Sequence, residues 1–234
     1  MTGLVYKEWK QNRWFILSMI LCGFAPLLVL LLLRGEIPSA NHTALRIGGL
    51  IAGFLASGTL QMMVLRGDDR KLWGYWITAS ADGYKGFLRV KYEMIFGMIV
   101  LFLFSLQFVD MGYCAVAADM GKTDAGSISD IAFLLGFVQI LFRAIDIPFT
   151  YRFGSKKGSF IKLICMVTLA IILGAVLIFS VEHIEHIMET ARDLFIQNSS
   201  LILSVGLVVC LVLYYLSYRI TCRLYLKGVE QYDH

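Results

Sequence analysis

Six apolar runs divide this chain, at residues 14–33, 45–65, 94–115, 131–149, 163–181 and 201–219, each bounded by polar or charged positions. About 20 apolar residues in a helix cross the roughly 30 Å hydrocarbon core of a bilayer. The pattern therefore predicts an all-α integral membrane protein with six transmembrane helices in one domain. The fourth run is the least uniform, because Arg143 and Asp146 fall inside it. Ahead of the first run, Leu4, Val5 and Trp9 recur at helical spacing opposite Lys7, Lys10 and Gln11. That alternation predicts a short amphipathic helix in the membrane interface, its tryptophan at headgroup depth. Pro26 is expected to kink the first span.

Composition agrees with the pattern. A hydrophobic fraction of 58% with 16% charged residues and a mean hydropathy of +0.72 exceed what a soluble core of this length needs. Charge fixes an expected orientation. Placing the N-terminus inside puts sixteen lysines and arginines on the cytosolic side and four (Arg34, Arg46, Lys122, Arg192) outside. Both termini are then cytosolic. The net charge of +4 reads as a topology signal, and no basic patch interleaved with stacking aromatics points to nucleic acid. The first run is longer than the apolar core of a signal peptide and reads as a retained span.

Chemistry-bearing residues are sparse. The five cysteines (Cys22, Cys114, Cys165, Cys210, Cys222) form no C-x-x-C pair and read as small packing residues. Gly121-Lys122-Thr123 ends like a phosphate-binding loop, but Val116 stands where the first glycine belongs. His183 and His186, on an expected surface helix over 182–197, do not form a zinc-hydrolase motif. Gly49 and Gly53 form a G-x-x-x-G that serves either internal helix packing or a dimer seam. Within the spans, Gln61, Gln107, Arg143 and Asp146 are polar groups that a translocation path would use. Arg143 and Asp146 are spaced to pair on one helical face. They line a cavity, or form a structural pair near the cytosolic end with Arg143 snorkelling outward.

The most informative stretch is 66–93, between the second and third spans. It carries Arg66, Arg70, Lys71, Lys85, Arg89 and Lys91, with large aromatics among them. It reads as two short helices around a break at 78–82, a structured cytosolic hairpin. Tryptophan, tyrosine and arginine are the side chains that protein interfaces favour.

From Asp68-Asp69-x-Lys71-x-Trp73 to Lys91-Tyr92, within this order of elements, the chain resembles the permease subunit of a bacterial ABC type-2 exporter. Such permeases often carry a Leu-Pro-x-Ser break in this hairpin, where Thr78-Ala79-Ser80-Ala81 stands here. The resemblance implies a homodimer seated on two copies of a separate ABC-type ATPase. That partner would hold the ATP and magnesium, leaving this chain without cofactor or catalytic residue. It implies that the hairpin is a coupling helix docking on the ATPase through Asp68, Asp69, Lys71, Leu72, Trp73 and Trp76. The implied location is the bacterial cytoplasmic membrane, and the implied cargo an amphipathic molecule, foremost a peptide toxin or antimicrobial. Two rivals remain at this stage. One is a non-transporting anchor that recruits a cytosolic protein through the same hairpin. The other is an intramembrane enzyme, for which the spans offer no nucleophile–base or metal constellation.

Overall fold

A computed structural model describes residues 2–33, 42–66, 83–119, 128–154 and 199–229, together with Trp76, Phe160, Ile161, Ile164 and Thr168. Its helices are α1 (Thr2–Gly23), α2 (Ala25–Leu33), α3 (His42–Arg66), α4 (Gly83–Asp119), α5 (Ser129–Phe153) and α6 (Ser199–Val229). No strand occurs among the described residues.

Four helices are long and apolar enough to cross a membrane: Thr43–Arg66, Gly83–Ala115, Ser129–Phe153 and Leu203–Leu226. The bent pair α1–α2, with an angle of 55° between its halves, makes a fifth if counted as one span. The expected span at 163–181 lies outside the described residues, apart from Ile164 and Thr168, which are helical. The expected surface helix at 182–197 lies outside them entirely.

The expected interfacial helix is not a separate element. Residues 2–13 run without a break into the first apolar run, and the helix ends at Gly23 instead. Pro26 is the cause of the break nearby. It has no N–H for the carbonyl of Cys22, and its fixed φ suits the first turn of a new helix. The turn is closed by the Phe24 N–H, 3.1 Å from the Leu21 carbonyl, and by Leu28 N–H donating to the Phe24 carbonyl at 3.0 Å.

Similarly, Gly83 to Glu93 is not a second short helix but the first turns of α4, whose 37 residues extend about 55 Å. That exceeds a hydrocarbon core by more than 20 Å.

The chain forms two compact units, Met1–Phe142 and Arg143–His234. In the first, α1 packs against α4 and α3, and α2 lies along α3. One apolar cluster joins Ile16, Met19, Val64 and Met98. A second joins Leu50, Phe102, Leu106, Ile128 and Ala132. Gly49 and Gly53 make this packing possible. A methyl group on Gly49 would stand 2.6 Å from the Pro26 Cα, and one on Gly53 would strike the Cys22 carbonyl oxygen. The G-x-x-x-G face is therefore occupied by the chain's own α1–α2 hinge, which answers the choice left open by the sequence in favour of internal packing.

In the second unit, the latter part of α5 packs on α6. Pro148 deprives the Ala144 carbonyl of its helical donor, and the Ser217 hydroxyl of α6 donates to that carbonyl instead. Tyr151 and Tyr225 meet edge to face at 5.6 Å between ring centres. Gly154, at φ +77°, closes α5 with its N–H 2.9 Å from the Thr150 carbonyl, a left-handed cap that favours glycine.

Candidate functional site

Three buried polar clusters hold the first unit together, and each joins elements distant in sequence. The first lies where α1 meets the beginning of α4. The Lys91 ammonium donates to Glu8 Oε2 at 2.7 Å, with both side chains at most 1% exposed. Asn12 Nδ2 donates to the same carboxylate at 3.0 Å, and Lys7 reaches its other oxygen at 3.0 Å. The Phe87 ring lies 5.6 Å from the Lys91 Nζ. The first turns of α1 thus bury Glu8 and Asn12 and expose Val5, Tyr6 and Trp9. This inverts the arrangement of a water-facing helix and suits one whose outer surface meets lipid.

The second cluster joins the start of α3 to the far part of α4. Arg46 pairs with Asp110, both almost fully buried, and its guanidinium stacks 4.1 Å from the centre of the Tyr113 ring. Asp110 also receives the Ile128 N–H at 3.2 Å and the Ser129 hydroxyl at 3.2 Å. A single carboxylate therefore neutralises an arginine and caps the entry to α5. Gln107 belongs here too, its Nε2 donating to Ser129 Oγ at 3.1 Å.

The third cluster lies midway along α3. Gln139 of α5 donates to Ser57 of α3, and Ser57 in turn donates to the Phe54 carbonyl at 2.9 Å. One turn further, Gln61 is fully buried. Neither its Nε2 nor its Oε1 has a hydrogen-bond partner, and Gln139 Oε1 lacks one as well.

In the second unit Arg143 Nη1 stands 2.9 Å from Asp146 Oδ2, as the i, i+3 spacing predicts. The approach is not aligned for a hydrogen bond, and Nε is also unpartnered. Arg143 is 7% exposed and Asp146 4%, so both charges of the pair are buried within the protein.

Of the residues expected to dock a partner, Asp68, Asp69, Lys71, Leu72 and Trp73 lie outside the described residues. Trp76 is helical and 77% exposed. Of the path residues, Gln61 and Gln107 fall in different clusters of the first unit, and Arg143 and Asp146 form a pair in the second. Sequence reasoning missed the Glu8–Lys91 and Arg46–Asp110 pairs. Their partners are 83 and 64 positions apart, beyond any periodicity. The one available signal was that each charge sits beside or inside an apolar run. Among the described residues no three His, Cys, Asp or Glu side chains gather as a metal site.

No curated protein and no solved structure matches the chain. The family described as ABC-2 family transporter protein matches it over residues 90–226. That stretch begins one residue before Lys91 and takes in α5 and nearly all of α6. It covers more than half of the sequence and includes Lys91-Tyr92, while Asp68 to Trp73 precede it. A long apolar helical chain that carries this family's pattern over most of its length is a multi-pass permease subunit, and the chain belongs to the ABC-2 transporter family.

Proposed function

We propose that this chain is the transmembrane subunit of an ATP-driven exporter, working as a homodimer on two copies of a separate ABC-type ATPase. Family membership over residues 90–226 supports a transporter subunit, and one feature of the fold supports the coupling. Helix α4 is unbroken from Gly83 to Asp119, and Lys91 near its beginning is clamped to Glu8 of α1. Force applied where the 66–93 segment enters α4 then moves α4 and α1 together, with no hinge to absorb it. In this reading the segment is a cytosolic coupling hairpin. Asp68, Asp69, Lys71, Leu72, Trp73 and Trp76 dock on the ATPase, and the ATP and magnesium belong to that partner. In this reading both termini lie in the cytosol of a bacterial cell, an orientation that the lysine and arginine distribution supports.

Ser57 and Gln61 of α3 and Gln139 of α5 are buried neutral polar groups in a chain that is 58% hydrophobic. An amphipathic peptide suits such an interior better than an ion or a sugar. The hairpin variants test the reading. Trp73→Ala or Asp69→Arg should lower ATP-dependent export about tenfold or more in the assembled complex, with the spans still folded and inserted. Export and substrate-stimulated hydrolysis at the parent level in both variants would rule out the docking role.

A further inference from the structure

Gln61 is the strangest side chain in the first unit. It is 0% exposed and both polar atoms of its amide are orphaned, at a depth where each lost hydrogen bond is costly. Native interiors rarely retain such a group without use. Its neighbourhood points to the use. Ser57 and Gln61 are one turn apart on α3, and Gln139 of α5 is bonded to the first of them.

We propose that Gln61 is a transport-cycle residue, the second docking point for Gln139, and that α5 moves along α3 by about one helical turn, roughly 5.4 Å, to reach it. Two observations balance the exchange. In the present register Asp110 caps α5 through Ile128 N–H and the Ser129 hydroxyl, but three amide atoms of Gln61 and Gln139 go unpaired. In the shifted register the two amides face each other, and a Gln–Gln pair satisfies donor and acceptor on both. Ser57 loses nothing that it needs, because its hydroxyl already donates to the Phe54 carbonyl. The residue that would arrive beside Ser57 is Leu135, one turn before Gln139 and already packed against the apolar cluster. One register spends polar satisfaction at the glutamines and the other at the Asp110 cap, which is what a two-state seam requires.

The test is disulfide trapping in whole cells, on the full-length chain with its five cysteines replaced by serine or alanine. Three pairs are compared under mild oxidation: S57C/Q139C, Q61C/Q139C and L65C/Q139C. The first two should both cross-link, from separate populations, and the third, a further turn away, should not. Cross-linking of S57C/Q139C alone would overturn the proposal, and so would equal trapping of all three. Gln61→Met supplies a second reading that does not depend on the cysteine background. Removing an orphaned amide should raise the apparent Tm of the purified chain by about 2–4 °C and lower ATP-dependent export by about tenfold. A fall in Tm, or a parent-level export rate, would contradict it. The cross-links report on the seam whether or not an ATPase is bound, so their failure is distinct from failure of the exporter reading.

Discussion

Among the described residues of the first unit, the buried charges of Glu8, Lys91, Arg46 and Asp110 are neutralised in pairs, and the pairs differ in what else they hold. Asp110 serves an arginine and the start of α5 together. Its loss should therefore cost more than a single ion pair on the surface, which contributes about 0–1 kcal/mol. Asp110→Ala removes the buried carboxylate that neutralises Arg46, and should destabilise the chain by about 3–5 kcal/mol. The double variant Arg46→Met/Asp110→Leu should recover much of that loss in thermal unfolding. Glycine gives a second contrast at this scale. Gly49→Ala drives a methyl group into the Pro26 backbone at 2.6 Å, an overpacking cost of about 1–3 kcal/mol. Its neighbour Gly48 faces open space, and Gly48→Ala should be neutral or stabilising by up to about 1 kcal/mol. Equal effects of the two would mean that α3 does not pack on the α1–α2 hinge. Sequence alone named Gly49 and Gly53 as a close-packing face but could not choose its partner. That choice depends on a carbonyl freed by Pro26, twenty-three positions upstream of Gly49.

At the scale of elements, hydrophobic periodicity located the membrane-crossing helices well because lipid rewards apolar length directly. It located their ends poorly, since nothing in a polar flank such as 83–93 distinguishes a separate short helix from an extension of the next one. What extends α4 is tertiary. Phe87, Leu88 and Lys91 are fully buried, and Lys91 has Glu8 waiting on α1. The same applies to α1, whose polar face turns inward at Glu8 and Asn12, a reversal that no amphipathic pattern reveals. The unbroken α4 carries a prediction. Arg89 pairs with Glu93 four residues on, both more than half exposed, and such a surface pair contributes about 0.3–0.5 kcal/mol, so Arg89→Ala should change stability and export little. Arg89→Pro removes a backbone hydrogen bond and kinks the helix, at about 3 kcal/mol or more. Nucleotide-driven export should then be lost while the chain still inserts and its partner still binds. Export at the parent rate in the proline variant would show that α4 does not transmit motion as a rigid shaft.

For the whole molecule, the apolar runs identified a membrane protein, and the Lys91-Tyr92 entry to the third span falls inside the stretch that defines its family. The expected docking residues at 68–73 lie before that stretch and outside the described residues, and their proposed role follows from the resemblance of the segment to permease coupling helices. Homodimer and cargo likewise rest on the proposed function. The second unit adds Arg143 and Asp146, charged and buried, and the Ser217 hydroxyl that completes α5 at Pro148. The sequence showed the first two by their rarity inside an apolar run. It gave no sign of Ser217, whose purpose is visible only once α6 lies against Ala144.

The central claim is that this permease works on a separate ATPase. The most direct measurement is affinity purification of the tagged chain from its native membrane, with quantitative mass spectrometry of what accompanies it. The account predicts an ABC-type ATPase in a one-to-one ratio with the chain, reduced at least about tenfold by Asp69→Arg. Recovery of the chain with no nucleotide-binding partner, from membranes where its export function is intact, would contradict it.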